Sequence, residues 1–131
     1  MEEGIHFTRI RISKGATYRA RNLAGRLSIT PNIIYRFAIC LSVKEPSLPD
    51  PSLYDEEGQE LNRYTLFGEW DSLFVAILIE RLSKDGLDIE NDFYDQLRAH
   101  INRGTELFCN RVRTLTDLVA LIPRPNKLNL T

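Results

Sequence analysis

Basic side chains, the type that binds phosphate groups, are concentrated near the start of the chain. Residues 1–44 hold eight lysines and arginines against two acidic residues, a net charge of +6. Residues 45–95 hold fourteen acidic and three basic residues, a net charge of −11, and residues 96–131 return to +4. Acid in the middle could therefore neutralise base at the ends. A cationic segment of this size suits phosphate binding, although solvated charge on ordinary helix faces produces a similar pattern.

Arginine is the leading candidate for such contacts because its planar guanidinium group fits both phosphate oxygens and base edges. Arg9 and Arg11, with Phe7, are the first choice because they share the outward face of a predicted strand. Thr30 and Asn32 lie where a helix is predicted to begin. The free backbone N–H groups at the start of a helix can bind a phosphate, although many such helix starts bind no ligand. The candidate DNA-binding residues are Arg9, Arg11, Lys14, Arg19, Arg21, Arg26, Thr30 and Asn32.

The remaining reactive residue types form no recognisable catalytic or metal-binding pattern. Cys40 and Cys109 have no CxxC or Cys/His cluster around them, which predicts two buried thiols and neither a disulfide nor a zinc site. His6 and His100 have no acidic or thiol partner at ligand spacing, so we expect surface or strand residues. The acidic residues 50–60 lack calcium-loop spacing, which favours a solvated or partner-binding loop. We predict no catalytic residue, no metal and no cofactor.

The N-terminal part is predicted to fold as a strand followed by two helices. Residues 5–12 alternate in polarity, which predicts a short strand with Thr8, Ile10 and Ile12 on its inner face. Ser13 can cap the first helix. Its buried positions would be Ala16, Ala20, Leu23, Ala24 and Leu27. Thr30 and Pro31 begin a second helix that ends near residue 45, before a proline.

The rest of the chain is predicted to be a loop followed by helices. Residues 46–60 contain three prolines and five acidic residues without periodicity, so residues 46–68 are treated as a Pro-rich acidic surface loop. A helix over residues 69–84, stopped by Gly86, should be the most buried. Asp88 can cap a long helix, for which a bend or break is predicted at Gly104. Thr116 can cap a last helix over residues 117–122, before Pro123 and Pro125.

These elements predict a mainly α fold: a short N-terminal strand and about five helices in one domain, 1–131. Its strand-helix-helix half, 1–45, would pack on a helical part, 69–131. No stretch approaches the roughly 18 apolar residues that span a membrane. The acidic start is unlike the basic start of a signal peptide, so a cytoplasmic location is expected.

The order strand, helix, helix, with arginines on the strand, is that of ribbon-helix-helix DNA-binding proteins. In that architecture two chains pair their strands into an antiparallel ribbon that enters the major groove. Such a strand would otherwise have an exposed edge. The order of elements therefore predicts an oligomer, built from two-fold dimers.

Several motifs resemble the DndE family of DNA sulfur modification proteins, over about residues 7–123. Residues 46–68 are the most specific part of this resemblance, because no general packing rule requires their motifs. The shared motifs are Arg9-Ile10-Arg11-Ile12-Ser13, Thr30-Pro31-Asn32-Ile33, Cys40-Leu41-Ser42, Glu45-Pro46, Pro49-Asp50-Pro51, Tyr54-Asp55-Glu56-Glu57-Gly58-Gln59-Glu60, Asn62-Arg63-Tyr64-Thr65-Leu66, Gly68-Glu69, Asn102-Arg103-Gly104 and residues 118–123.

This resemblance implies a non-catalytic accessory subunit that binds duplex DNA, particularly nicked DNA, and assembles into a tetramer. It would work beside the DndC and DndD components of the bacterial phosphorothioation system. Two departures are Tyr35, where the family would have a cysteine, and the arginine-rich segment 15–26, where lysines are more usual. A sulfur pathway also suggests persulfide carriage by Cys40 or Cys109, but nothing around either cysteine supports it.

Three functions therefore remain open at the level of sequence. The first is sequence-independent DNA binding within the modification machinery. The second is a scaffold whose acidic loop docks DndC or DndD. The third is a ribbon-helix-helix transcriptional regulator that reads bases through Phe7, Arg9 and Arg11.

Overall fold

The first two helices begin at the residues that the sequence predicts. Ser13 caps the first helix, its hydroxyl oxygen accepting a hydrogen bond from the backbone N–H of Ala16. The predicted stripe of this helix, from Ala16 to Leu27, is buried. Pro31 occupies the first position of the second helix, where its missing N–H leaves no bond unmade. Local capping and helical periodicity thus position these two helices as expected.

The computed structural model describes residues 5–122. Within them, two short strands and six α-helices confirm the prediction of a mainly α fold. The elements are β1 Arg9–Arg11, α1 Lys14–Leu27, α2 Pro31–Ser42, β2 Glu60–Asn62, α3 Arg63–Phe67, α4 Asp71–Lys84, α5 Ile89–Arg111 and α6 Leu115–Ala120. Single 3-10 turns lie at Pro51–Leu53 and Gly68–Trp70.

Helix α5 forms the centre of the fold, with Leu97, Ile101 and Phe108 fully buried. It runs unbroken through Gly104, so the prediction of a break there is wrong. A Cβ atom at Gly104 would overlap the backbone carbonyl of Ala38. Glycine is needed because α2 and α5 pack in close backbone contact at this point. The prediction that the helix over residues 69–84 is the most buried is also wrong, because Leu73 is exposed.

The strand is shorter than predicted and pairs within the chain. β1 and β2 are antiparallel, with Arg9 opposite Asn62 and Arg11 opposite Glu60. The β1 edge that was predicted to need a second chain therefore has a partner here. The physical reason that sequence missed β2 is its length, since three residues are too few to show an alternating pattern.

The predicted outward position of Phe7 is wrong. Phe7 is buried, with its ring centroid 6.2 Å from that of Phe67 and 5.9 Å from that of Phe93. Thr8, predicted to face inward, is exposed. Strict alternation fails because regular strand geometry begins only at Arg9, and burial of a large aromatic surface decides the direction of Phe7 before that point.

The Pro-rich segment is held by buried arginines and is more structured than a plain loop. Arg81 donates to the carbonyl of Ser47 at 2.8 Å. It also donates to the carbonyls of Val43 and Glu45, just before the segment, both at 2.7 Å. Arg98 donates to the carbonyls of Pro51 and Tyr54, both at 3.1 Å. The segment also contains a 3-10 turn, β2 and α3, so its prediction as a loop through residue 68 is wrong from residue 60 onward.

The last helix begins earlier than predicted. Thr114, and not Thr116, caps α6, and Asp117 completes a capping box by accepting hydrogen bonds from the backbone N–H groups of Arg113 and Thr114. The predicted stop at Pro123 and Pro125 lies outside the described residues. None of the helices within residues 5–122 is long and apolar enough to cross a membrane.

Candidate nucleic-acid interface

The two arginines of β1 lie beside a carboxylate of the neighbouring strand. Arg11 Nη2 is 3.1 Å from Glu60 Oε1, and Arg9 Nε is 3.7 Å from Glu60 Oε2. Arg11 also donates to the carbonyl of Gly58 at 2.8 Å. These pairs are exposed and add little stability. Their main effect is on the electrostatic potential around β1, because a positive charge beside a negative one attracts a distant phosphate much less than an isolated positive charge does.

The start of α1 is neutralised in the same way by the acidic segment. Lys14 Nζ lies 3.8 Å from Glu57 Oε1. The backbone N–H of Lys14 donates to Asp55 at 3.0 Å. Backbone hydrogen bonds from Glu57 and Lys14 lower the pKa of the Asp55 carboxyl group. The acidic middle of the chain thus folds onto the basic strand, as the opposite charges of the two segments suggest.

The remaining basic residues of α1 differ from those of β1. Arg19, Arg21 and Arg26 are exposed, and none of them forms an ion pair with a carboxylate in the described part of the chain. Arg19 and Arg26 are seven positions apart, which places them on the same side of the helix. The solvent-facing side of α1 therefore carries uncompensated positive charge.

Helix α1 shares a cavity with the end of α5. The cavity has a volume of about 330 Å³. Its lining residues are Tyr18, Arg19, Asn22, Leu23, Arg26, Cys109, Asn110 and Arg113. We call this space the α1–α5 cavity.

Cys109 lies at this cavity and is only partly exposed. Its thiol is 3.7 Å from the carbonyl oxygen of Arg19. Burial raises the pKa of the Cys109 thiol, while the positive charges of Arg19 and Arg26 oppose that rise. Both arginines therefore project a positive potential into the cavity.

The structure does not bring all the sequence candidates to this cavity. Thr30 is the N-cap residue of α2, but its side chain makes no capping hydrogen bond. Thr30 and Asn32 do not line the α1–α5 cavity, nor do Arg9 and Arg11. The candidate interface therefore divides into a compensated part on β1 and an uncompensated part on α1.

Sequence reasoning missed the residues that α5 and the following turn contribute. Asn110 and Arg113 belong to a segment that it treated as an ordinary helix end. No local signal could have found them, because their position beside Arg19 depends on how α1 packs against α5. Tyr18 and Asn22 could have been found, since Asn22 lies three positions after Arg19 and four after Tyr18, the spacings of neighbours on a helix surface.

Outside the α1–α5 cavity, the side chain of His100 belongs to the packed core. The prediction that His100 is a surface or strand residue is wrong, because it is fully buried on α5. Ser42 Oγ accepts a hydrogen bond from Arg103 Nε at 2.9 Å and shares a second one with His100 Nδ1, 2.8 Å away, whose direction depends on the imidazole tautomer. Burial, together with the positive charges of Arg103 and Arg81, lowers the pKa of His100 to about 3. This neutral imidazole has no access to a substrate.

The prediction of two buried thiols is wrong for Cys40, which is exposed on α2. Its pKa is nevertheless raised by partial burial, so the thiolate is disfavoured. Within residues 5–122, no group of three or more potential ligands is placed to hold a metal ion.

Comparison with known proteins agrees with this architecture. Solved structures similar to this chain include DndE from Escherichia coli B7A, involved in DNA phosphorothioation modification, and a DndE G21/24K mutant, also involved in DNA phosphorothioation. The first is 23% identical, with a TM-score of 0.65 over 82% of this chain and 100% of that one. The second is 21% identical, with a TM-score of 0.63 over 79% of this chain and 99% of that one.

At these identities the structures show a shared fold. No curated protein matches the chain. The family model of the DNA sulphur modification protein DndE matches residues 9–114, most of the chain. The chain therefore belongs to the DndE family.

Proposed function

We propose that this chain is a non-catalytic accessory subunit of the DNA phosphorothioation machinery that binds duplex DNA, and nicked DNA in particular, through α1. The family's role in DNA sulphur modification supports a DNA partner. The observation that carries the proposal is the contrast in charge compensation: the basic residues of β1 have carboxylate partners, whereas Arg19, Arg21 and Arg26 have none among the described residues.

Uncompensated arginines favour the phosphate backbone because they release counterions when they neutralise it. Contacts of this kind position a protein without reading the base sequence. The α1 face therefore suits an accessory subunit that binds many sites. Arg9, Arg11 and Lys14 would add secondary contacts if DNA displaced their carboxylate partners. Thr30 and Asn32 would add a phosphate contact at the start of α2.

The test compares two double variants with the same change in charge. Arg19→Ala with Arg26→Ala should reduce the slope of log affinity against log salt by nearly 2, since each lost phosphate contact accounts for about 0.9. Arg9→Ala with Arg11→Ala is the matched control and should change the slope by less than about half as much. Gel shift or fluorescence anisotropy with intact and nicked duplexes measures both. Equal slopes for wild type and the α1 variant would refute the assignment.

A scaffold role for the acidic segment is the second candidate. Glu56 and Glu57 are the most exposed of its paired carboxylates, with 56% and 70% of their side-chain surface accessible. Each also faces a basic residue of this chain, Arg98 and Lys14 respectively. A docking function with DndC or DndD predicts that Glu56→Gln with Glu57→Gln weakens pull-down of those subunits without weakening DNA binding.

The ribbon-helix-helix regulator is less well supported than either. Its groove-facing set included Phe7, which is buried, and its ribbon required β1 to pair with a second chain. Since one edge of β1 pairs with β2 within the chain, that argument for an oligomer is weaker. A gel shift with a cognate operator and unrelated duplexes would reveal base reading as a large difference in affinity.

A homotetramer, which the family resemblance implies, is also part of this proposal. Trp70 and Leu73 support self-association because each is half exposed and both line an apolar groove of about 400 Å³ with Phe37 and Phe74. Trp70→Ser with Leu73→Ser should then lower the mass measured by light scattering, while circular dichroism stays unchanged. A monomeric wild type at micromolar concentration would exclude the tetramer.

A further inference from the structure

The α1–α5 cavity has a chemical character that a flat phosphate-binding surface does not need. Its walls combine three guanidinium groups, two side-chain amides and one phenol ring. Its volume of about 330 Å³ falls at the lower end of small-ligand pockets. Continuous duplex DNA presents a convex backbone with its bases stacked inside, so it could place phosphates at the rim but would leave this concave space empty.

Tyr18 gives the cavity an exposed aromatic surface. The residue is 69% exposed, although it neighbours Arg19 on the basic face of α1. A large ring that is neither packed in the core nor paired with another described ring is available for stacking. Aromatic rings beside basic side chains are the usual means of binding unpaired bases, because every base has a flat face and every nucleotide a phosphate.

The polar residues of the cavity complete such a site. Arg19 and Arg26 carry positive charge without a carboxylate partner in the described chain. Asn22 and Asn110 each offer a donor and an acceptor, which suits base edges. Arg113 adds a third positive charge, which attracts a phosphate less strongly because the Asp117 carboxylate accepts a hydrogen bond from the Arg113 backbone N–H at 2.8 Å.

We propose that the α1–α5 cavity binds one unpaired nucleotide of a DNA strand, with its base stacked on Tyr18 and its phosphate on Arg19 and Arg26. This inference rests on the proposed function, because it assumes that α1 faces DNA. It adds a substrate class to that function: DNA in which a base has left the stack. The α1 arginines then supply general affinity, and Tyr18 supplies the preference for the unpaired base.

Two labelled duplexes of equal length test the proposal, one continuous and one with a single unpaired thymidine at its centre. Wild type should bind the second more tightly, by about 5-fold or more, the effect of one base stacked on an aromatic ring. Tyr18→Leu should bring that ratio to about 1 while affinity for the continuous duplex stays within about twofold. Tyr18→Phe should retain the preference.

Tyr64→Leu is the matched control, because Tyr64 is 82% exposed and does not line the cavity. It should leave the ratio unchanged. A wild type that binds both duplexes equally, or a Tyr18→Leu variant that keeps the preference, overturns the nucleotide site and leaves DNA binding by α1 in place. If wild type binds neither duplex, the proposed function fails and the nucleotide site fails with it.

Discussion

Arg9 and Arg11 on β1 lie within 4 Å of Glu60 on the neighbouring strand, whereas Arg19 and Arg26 on α1 line a cavity with no acidic side chain. Both regions belong to the basic N-terminal segment, and the number of charges does not distinguish them. Their partners do. An arginine beside a carboxylate attracts phosphate only weakly, whereas an arginine without a carboxylate partner attracts it strongly. The presence of a carboxylate partner therefore decides which basic residues can contribute to DNA binding.

A third group of arginines extends the comparison. Arg81 is buried and donates to backbone carbonyls on the Pro-rich segment, as Arg98 does. These side chains stabilise the fold because the carbonyls of an irregular segment need donors that regular structure does not provide. Arginine thus has three roles in one small chain, and the exposed arginines of α1 remain available for a ligand of opposite charge.

Charge reversal on α1 is expected to have the largest effect on binding. Arg19→Glu with Arg26→Glu removes two attractive contacts and adds two repulsive ones, so affinity for duplex DNA should fall by about 100-fold or more at low salt. The same reversal at Arg9 and Arg11 should cost less, because Glu60 already offsets part of their charge. Anisotropy titrations measure both. A greater loss from the β1 variant would reverse the comparison.

Such measurements need a folded protein, and His100 limits the usable pH. Its folded pKa of about 3 lies below the ordinary value of 6.5, so the unfolded chain binds the proton more readily. Stability is therefore complete above about pH 6.5 and should fall as pH drops toward 3, by up to about 1.4 kcal/mol per pH unit. Urea unfolding at several pH values measures this slope. His100→Gln should flatten the slope.

Removing the carboxylates beside the basic strand should produce a smaller change of opposite sign. Glu57→Gln with Glu60→Gln leaves Lys14, Arg9 and Arg11 without their partners. Affinity for duplex DNA should rise several-fold, and the salt slope should steepen by up to about 0.9 for each new phosphate contact. The control is Glu80→Gln with Glu90→Gln, an equal change in charge on α4 and α5. If both variants behave alike, net charge explains the gain and local compensation does not.

The sequence predicts the local parts of this molecule well. Ser13 and Pro31 mark helix starts through rules that involve only neighbouring residues, and the buried stripe of α1 follows from helical spacing. The opposite net charges of residues 1–44 and 45–95 also predict that these two segments attract each other. Each of these inferences depends on residues close in the chain or on composition, which is why sequence alone is sufficient.

The features that the sequence could not predict depend on distant contacts. The partner of β1 lies about 50 positions away and is too short to show a pattern. Gly104 looks like a weak point in a helix until Ala38 is placed against it. Arg113 joins Arg19 only because α1 packs on the end of α5. The candidate site is limited in the same way. The sequence identifies the α1 arginines as candidates, but it does not show that the β1 arginines have carboxylate partners and the α1 arginines do not.

The smallest effect is expected from the cysteines. Cys40→Ala with Cys109→Ala should change DNA affinity by less than about twofold, because the raised pKa of each thiol keeps it uncharged, so neither contributes charge to phosphate binding. Sulfur modification in cells should also persist. Loss of modification with folding and DNA binding intact would instead support persulfide carriage.

Placing a negative charge at Cys109 sharpens the comparison. Cys109→Asp puts a carboxylate in the α1–α5 cavity beside Arg19 and Arg26, and so gives α1 the compensation that β1 already has. Affinity should fall several-fold and the salt slope should become shallower. Ser83→Asp, an equal charge on the exposed surface of α4, should have little effect because Ser83 lines neither this cavity nor the apolar groove. Equal losses from both aspartates would mean that total charge, and not the pairing of individual arginines, governs DNA binding.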